Sequence, residues 1–425
     1  MTETPRRPAN GQSPAADTAD RDPQDKLLDG FVVLDFTRVL AGPYCTRLLA
    51  DLGATVIKIE RPGEGDEVRY IGLQLDEQRI DSGAYFARMN AGKQSIAIDL
   101  ANPDSRPLVL DLVSKADVVI ENFSPGVMAK YRLDAATLCA IKPELVYCSI
   151  SGFGQTGPLS AMQAYAHLIN AISGMMDLER GGVLAPRASN LQAADVLAGA
   201  HAFGAICAAL LRRSRTGKGA RLDVSMLECM VAADDVTYPV LLNGGSIERR
   251  PRVGMVVHPI GDRHVAMQVG SAAQVWPRIV GWLERPDLID DPRFSTAAAR
   301  RGNWDALSAL LAERLARFPT VEAAVDALRG ARIPSAPVLT AEEIVEHPHM
   351  AARRAFPTIP HPKRGEVKVT AAPFQVDGDA THPAGPAPYR IGEHTQQVLT
   401  QVLGYPAQRI RELETGKVIE SPHGL

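Results

Sequence analysis

The chain has 425 residues, 45% hydrophobic and 22% charged, with a net charge of −3. That composition allows a large core and two or three domains, and it excludes the basic field of a nucleic-acid-binding surface. The five cysteines (Cys45, Cys139, Cys148, Cys207, Cys229) form no C-x-x-C or Cys/His cluster, which excludes the common metal frameworks and reads as free thiols of a reducing cytoplasm.

Residues 1–26 are rich in Pro, Asp, Thr and Ala without an apolar run, the composition of a disordered tail and not of a signal peptide. From residue 27 to about 225 strand and helix patterns alternate. The first strand is predicted from Val32 to Phe36. A turn from Arg38 to Pro43 follows, then a helix from Tyr44 to Leu52 stopped at Gly53. A second strand runs from Thr55 to Ile59 and leads into Glu60, Arg61, Pro62 and Gly63. A βαβ unit places ligands at the carboxyl ends of its strands. Both strands here end on a basic residue, Arg38 and Arg61, which suits a phosphorylated ligand. No G-x-G-x-x-G follows the first strand, so a dinucleotide is disfavoured.

Further strands are predicted over 95–99, 117–121 and 145–150, with a helix over 104–114. Such alternation argues for a parallel, doubly wound α/β sheet. A long apolar helix is predicted from Ala194 to Arg213. Its Ala-rich part, 196–211, is interrupted by His201 and too short to span a bilayer, so no membrane partner is expected. RTGKG (215–219) lacks the upstream glycine of a phosphate loop and reads as a tight turn into a strand over 221–224. Residues 226–250 read as a linker ending in a basic cluster, Arg249, Arg250 and Arg252. Residues 251–345 read as a smaller α/β domain, with a strand over 264–269 and helices over 273–283, 304–317 and 321–329. Residues 346–425 hold a proline-rich return linker (356–390) and a last helix over 394–403, with Thr395 as its cap.

Several long strings together resemble one family. They are DFTRVLAGPYCTRLLADLGATVIKIERPGEGDEVR (35–69), GKQSIAIDL (92–100), ADVVIENFSPGVM (116–128), SISGFGQTGP (149–158), AADVLAG (193–199), SRTGKGARLDVSMLE (214–228) and IGEHTQQVLTQVLG (391–404). In this order they resemble the family III coenzyme A transferases, over nearly everything after Leu27. The resemblance implies a Rossmann-like large domain built from both chain ends, a smaller middle domain, and two subunits interlocked like rings in a homodimer. It implies acyl-CoA and a carboxylic acid as substrates, with no permanently bound cofactor.

Taken alone, Asp195 is an ordinary acidic residue at the start of an apolar helix. The resemblance makes it the nucleophile, because AADVLAG matches the family segment that carries the reactive aspartate. Such chemistry runs through an aspartyl anhydride and an aspartyl-CoA thioester, and splits one hard exchange into easier steps. The small residues Ala193, Ala194, Ala198 and Gly199 either leave room for a thioester or pack the helix closely. For coenzyme A the resemblance points to Arg38, Val39, Ala41, Arg61, Lys93, Asn122, Phe123 and Lys130. Lys93 and Lys130 read equally as solvated surface charges, Asn122 as the closure of a strand-end turn, and Phe123 as packing.

Leu40, Tyr165 and Arg187 are candidate substrate contacts. Leu40 stands where formyl-CoA transferase has a glutamine, which argues against an oxalate-like acceptor, and that relative's glycine-rich loop has no counterpart in 249–262. The family's α-methylacyl-CoA racemases use a His-Asp pair in a G-H-D segment. Here Tyr165 holds the histidine position and Ala166 follows. His167 comes one or two positions late, a swing of roughly 100–200° on a helix, so it reads as an ordinary helix histidine. Arg187 suits the second carboxylate of a dicarboxylic acid or a bare surface. The reading is therefore a CoA-transferase with succinyl-CoA as the default donor. Its rivals are a racemase, an intramolecular transfer within one dicarboxylate, and a CoA-binding protein without turnover.

Overall fold

The structure, a computed structural model, describes residues 26–179, 184–247, 254–269 and 274–422. The tail expected over 1–26 lies outside these residues save for Lys26, as do Arg249, Arg250 and Arg252.

The chain opens with β1 (Val32–Asp35), α1 (Ala41–Asp51) and β2 (Thr55–Glu60). Helix α1 begins three residues earlier than its pattern predicts. Pro43 sits in the first turn, where its missing N–H costs nothing, so it does not delay the helix. Gly53 ends the run at φ 106°, a conformation that suits glycine. Next come α2 (Ala84–Asn90), β3 (Gln94–Ile98), α3 (Ser105–Lys115), β4 (Val118–Glu121), α4 (Val127–Lys130), α5 (Ala135–Ile141) and β5 (Val146–Ser151). The helices α6 (Ala166–Ile172), α7 (Met175–Glu179) and α8 (Ala193–Thr216) lead to β6 (Ala220–Ser225), α9 (Met226–Ala232) and α10 (Thr237–Leu242).

These six strands are parallel neighbours in the order β3-β2-β1-β4-β5-β6. Their near-continuous apolar runs fit strands covered on both faces. One face is covered by α1 and α8, through Cys45, Leu49, Ala198, Ala202 and Ile206 against Val56, Ile120 and Cys148. The other holds Leu34, Ile57, Ile96 and Val119 under Leu108 and Leu112 of α3. In this order the chain reverses direction between β1 and β4, and such a switch point opens a crevice at the strands' carboxyl ends.

A separate antiparallel sheet is formed by β7 (Met255–Ile260), β8 (Arg263–Gln268) and β9 (Ser335–Pro337). It packs with α11 (Val275–Leu283), α12 (Ala297–Gly302), α13 (Trp304–Leu315) and α14 (Val321–Gly330) around a core of its own that includes Trp276, Ile279, Leu307 and Leu311. After α15 (Ala341–Val345) and α16 (Pro348–Ala352), the stretch read as linker holds two hairpins. They are β10 (Thr358–His361) with β11 (Gly365–Lys368), and β12 (Gln375–Val376) with β13 (Asp379–Ala380). Prolines hid the first, since proline within a run argues against a central strand but not against a two-stranded ribbon, and the second was too short to stand out.

Helices α17 (Thr395–Gln401) and α18 (Ala407–Thr415) precede β14 (Ile419–Glu420), which pairs antiparallel with β3. Thr395 is not the cap of α17; His394 holds that position. The Thr395 hydroxyl instead accepts from the Ala97 amide (3.1 Å) and reaches the carbonyls of Gly392 (2.8 Å) and Glu420 (2.9 Å). It thereby clips the two strands together.

Helix α8 has 24 residues and is longer than predicted. Among the described residues it alone has the length and apolarity to cross a bilayer. Its buried face, Ala194, Ala198, Ala202 and Ile206, lies against the sheet and α1. The contact is so close that a Cβ on Gly199 would stand 2.5 Å from the Ala41 carbonyl oxygen and 3.1 Å from the Tyr44 ring. The small residues therefore serve close packing, and that packing sets Asp195, one turn before Gly199, against the start of α1.

Candidate active site

The crevice at the switch point is a cleft of about 390 Å³. Its walls come from the ends of β1 to β4 and include Arg38, Arg61, Leu100, Phe123 and Tyr131. The Arg38 guanidinium lies 5.1 Å from the centre of the Phe123 ring, within cation–π range. Arg61 is exposed and pairs with Glu64 at 3.0 Å, a solvent-screened contact worth little in itself and easily exchanged for an anion. Asn122 is occupied in holding the turn. Its carbonyl oxygen accepts from the Arg38 amide and its NH2 donates to the Arg38 carbonyl, both at 2.8 Å. Lys130 is exposed next to Tyr131 and does not itself line the cleft.

Lys93 corrects the sequence reading. Its side chain is fully buried, and its ammonium donates to Asp35 (3.1 Å), Thr46 (2.7 Å), Asn90 (2.9 Å) and the Pro43 carbonyl (3.1 Å). A buried ammonium needs such partners, and with all of them satisfied it has no reach to a phosphate. Asp35 also accepts from the amide and hydroxyl of Thr37 and from the Thr46 hydroxyl. Burial opposes ionisation of Asp35, but Lys93, Lys58 and the two hydroxyls override it and hold its carboxyl down at about 2. Lys58 donates to Asp66 (2.9 Å) and to the Thr37 carbonyl (2.8 Å). The base of the cleft is thus a layer of paired buried charges.

Between this layer and α1 runs the turn Arg38–Leu40. Val39 sits at φ 67°, which for a β-branched residue costs about 1–3 kcal/mol and persists only where the surroundings over-determine it. The Val39 amide donates to Asp66 at 3.2 Å. Leu40 is 5% exposed and precedes α1, so its side chain packs inward and is not presented to a substrate.

Ala41 is the first residue of α1, and the first amides of a helix have no acceptor within it. Ala41 lies where α8 packs closely on α1, and its amide favours the ionised form of Asp195. Asp195 is half-buried in the first turn of α8. Burial pushes its carboxyl up to about 6, against the Ala41 amide and the nearby His167, which pull it down. Desolvation therefore outweighs the groups that favour the charged form. The carboxylate still predominates at pH 7, and a poorly solvated carboxylate is the better nucleophile. If Asp195 attacks as an anion, turnover will fall as pH drops through about 6. A pH–rate profile of kcat/KM between pH 5 and 8 checks this, and a flat profile would remove Asp195 from the rate-limiting chemistry.

Two neighbours escaped the sequence reading. Tyr85 on α2 has its phenol pushed up to about 12, first by burial and then by the charge of Asp195. No motif marks it; it is one aromatic residue in a short helix. His167 is not the remote helix residue its register suggested. The Gln192 side-chain amide donates to its Nε2 at 3.2 Å, and Gln192 immediately precedes α8. Tyr165, at the start of α6, is 66% exposed. Arg187 lies exposed on the loop before α8. The structure thus gathers Arg38, Val39, Ala41, Arg61, Asn122 and Phe123 around the cleft and its turn, leaves Lys130 at its margin, and withdraws Lys93 and Leu40 into the interior. Among the described residues no cluster of His, Cys, Asp or Glu is placed to hold a metal.

Comparison with known proteins fits this arrangement. The model of CoA-transferase family III matches residues 28–395. An acetyl-CoA:oxalate CoA-transferase of Acetobacter aceti is 35% identical over 377 residues, covering 85% of this chain and 92% of that one. A succinyl-CoA:glutarate CoA-transferase of Mus musculus is 32% identical over 404 residues, covering 93% and 91%. A crystal structure of a CAIB/BAIF family protein from Brucella suis aligns with a TM-score of 0.75 at 33% identity, over 89% of this chain and 99% of that one. The chain belongs to CoA-transferase family III and is a CoA-transferase.

Proposed function

We propose that this CoA-transferase moves CoA from an acyl-CoA to a carboxylic acid with Asp195 as the covalent nucleophile. The observation that carries the reading is the position of Asp195: half-buried in the first turn of α8 and met by the orphan amide of Ala41. Asp195 attacks the thioester carbonyl, the C–S bond breaks, and an acyl-aspartyl anhydride and CoA thiolate result. The thiolate then attacks the Asp195 carbonyl carbon, releasing the donor acid and leaving an aspartyl-CoA thioester. The acceptor carboxylate attacks that thioester to form a new anhydride and thiolate. The thiolate takes the acceptor acyl group and frees the Asp195 carboxylate. Each step trades one acyl bond for another, and amides near Asp195 are suited to the oxyanions between them.

Arg38 and Arg61 meet the CoA phosphates, with Phe123 beside the base and Lys130 at the margin. Arg61→Gln is expected to raise KM for the CoA ester about tenfold while kcat stays within about twofold, the pattern of lost uniform binding. An equal fall in kcat would put Arg61 at the reacting centre instead. Succinyl-CoA is the donor of first choice, in keeping with the names of relatives such as the Mus musculus enzyme. Arg187 and Tyr165 serve acceptor choice. A second copy of the chain covers the exposed apolar side chains Leu168, Ile172, Leu241 and Leu242, as in an interlocked homodimer. The cytoplasm is the working compartment.

Intact-protein mass after mixing with a panel of acyl-CoAs, succinyl-CoA first, with borohydride or hydroxylamine trapping, tests the mechanism. The expected result is an adduct that maps to Asp195; no adduct with any donor under conditions where CoA binds would sink it. Turnover without an added acceptor acid would identify transfer within one dicarboxylate. The charge interaction of His167 with Asp195 favours one second reading, proton exchange beside the thioester as in a racemase. Solvent deuterium entering the α-carbon of a 2-methylacyl-CoA distinguishes it.

A further inference from the structure

We infer that Asp66 is a positioning residue for the nucleophile: it holds the strained Val39 turn in the shape that presents the Ala41 amide to Asp195. The inference rests on the reading of Asp195 as nucleophile.

The turn that leads into Ala41 is pinned at Thr37, Arg38 and Val39. The Thr37 amide is held by Asp35 and its carbonyl by Lys58. Both backbone groups of Arg38 are held by Asn122. The Val39 amide is held by Asp66 Oδ1 at 3.2 Å. Asp66 is 1% exposed. Its Oδ1 also accepts from the Val68 amide at 3.2 Å, and its Oδ2 accepts from Lys58 at 2.9 Å. One buried carboxylate and its ammonium partner therefore grip the turn on both sides of Arg38.

Valine gains nothing by φ 67° on its own. If the grip of Asp66 is removed, Val39 relaxes to negative φ and the peptides that follow rotate. Two residues on is the Ala41 amide, the group that favours the Asp195 carboxylate. A misplacement of about 1 Å at such a donor costs on the order of a hundredfold in rate. The strain is thus located at the point where it fixes the direction of one N–H bond.

The test replaces the pair as a unit, Lys58→Met with Asp66→Leu, because apolar residues of similar size avoid stranding a buried charge. The readouts are the rate of adduct formation at Asp195 with succinyl-CoA by rapid-quench mass spectrometry, KM for the CoA ester, and the melting midpoint. Adduct formation is expected to slow by about a hundredfold, with KM within about threefold. Adding Val39→Gly is expected to recover about tenfold of the lost rate, since glycine takes positive φ without steric cost. A merely structural role predicts no such recovery, because glycine loosens the chain further. If the pair variant does not fold, Asp66→Asn, which keeps volume and one acceptor oxygen, asks the same question with a smaller expected loss. Equal adduct rates in a folded variant and the wild type, or no recovery with Val39→Gly, overturn the positioning role and leave Asp195 as nucleophile. No adduct on the wild type overturns both.

Discussion

Replacing Asp195 by asparagine is expected to reduce CoA transfer by at least about a thousandfold and, at pH 7.5, to raise the melting temperature. The first effect follows from the mechanism, since an amide in place of the carboxylate removes the nucleophile. The second follows from the carboxyl's raised pKa. Burial lifts Asp195 from 3.8 to about 6, so the unfolded chain gives up its proton at lower pH than the folded one. Stability is complete below pH 3.8 and falls as pH rises through about 6. Two pH units correspond to about 3 kcal/mol, and partial exposure reduces this to about 1–2 kcal/mol. Asparagine removes that cost at neutral pH. Activity and thermal denaturation of one preparation suffice to check both effects. Retention of more than a few per cent of turnover would end the assignment. A lower melting temperature at pH 7.5 with unchanged stability at pH 4 would show that the carboxylate is held by partners stronger than the Ala41 amide.

Lys93→Met should destabilise the large sheet by about 3–5 kcal/mol, the usual result of removing one partner from a buried ion pair. Asp35, Thr46 and the Pro43 carbonyl would all lose a donor in a buried layer. The same variant decides between the two readings of this lysine. A phosphate-binding lysine, when lost, raises KM for CoA and leaves stability nearly unchanged. A lysine that neutralises Asp35 does the reverse, and for the folded fraction KM is expected to stay within about threefold of the wild type. Chemical denaturation together with CoA titration separates these outcomes. The Asp35 side of the pair adds a pH signature. Its carboxyl is held at about 2 against an ordinary 3.8, so its stabilising contribution is full above pH 3.8 and lost as pH falls through about 2. Lys93→Met should remove most of that acid-side slope.

The α/β alternation was legible because each buried strand is a short unbroken apolar run bounded by turn residues. Every strand read from 31 to 225 lies within a residue or so of its observed place. Helix α1 started early because proline is as acceptable in a first turn as before one, and composition cannot tell the two apart. The hairpins β10–β11 and β12–β13 were missed because their pairing is a property of two segments; Pro360 masked the first, and the second has strands of only two residues. Among site residues, those at strand ends (Arg38, Arg61, Phe123) were found because sheet geometry fixes where strand ends point. Lys93 was misjudged because a lysine in a polar string looks exposed until Asp35, from another strand, is placed beneath it. Tyr85 carried no local signal and His167 was weighed only by its register, because the charge interaction of each with Asp195 arises only when distant helices pack.

The pairing of β14 with β3 has a consequence for biosynthesis. Ile419 lies against Ile98, so β3 waits through about 320 residues of translation before its outer edge is covered. At roughly 5–20 residues per second this interval lasts roughly 15–60 s. Throughout that time the nascent sheet presents unpaired backbone donors and acceptors beside Asp99, Leu100 and Ala101, which later line the cleft. An open edge of this kind invites pairing with another chain. The emerging polypeptide is therefore most exposed to cross-pairing while still on the ribosome, and closure of that edge is a late event in its maturation.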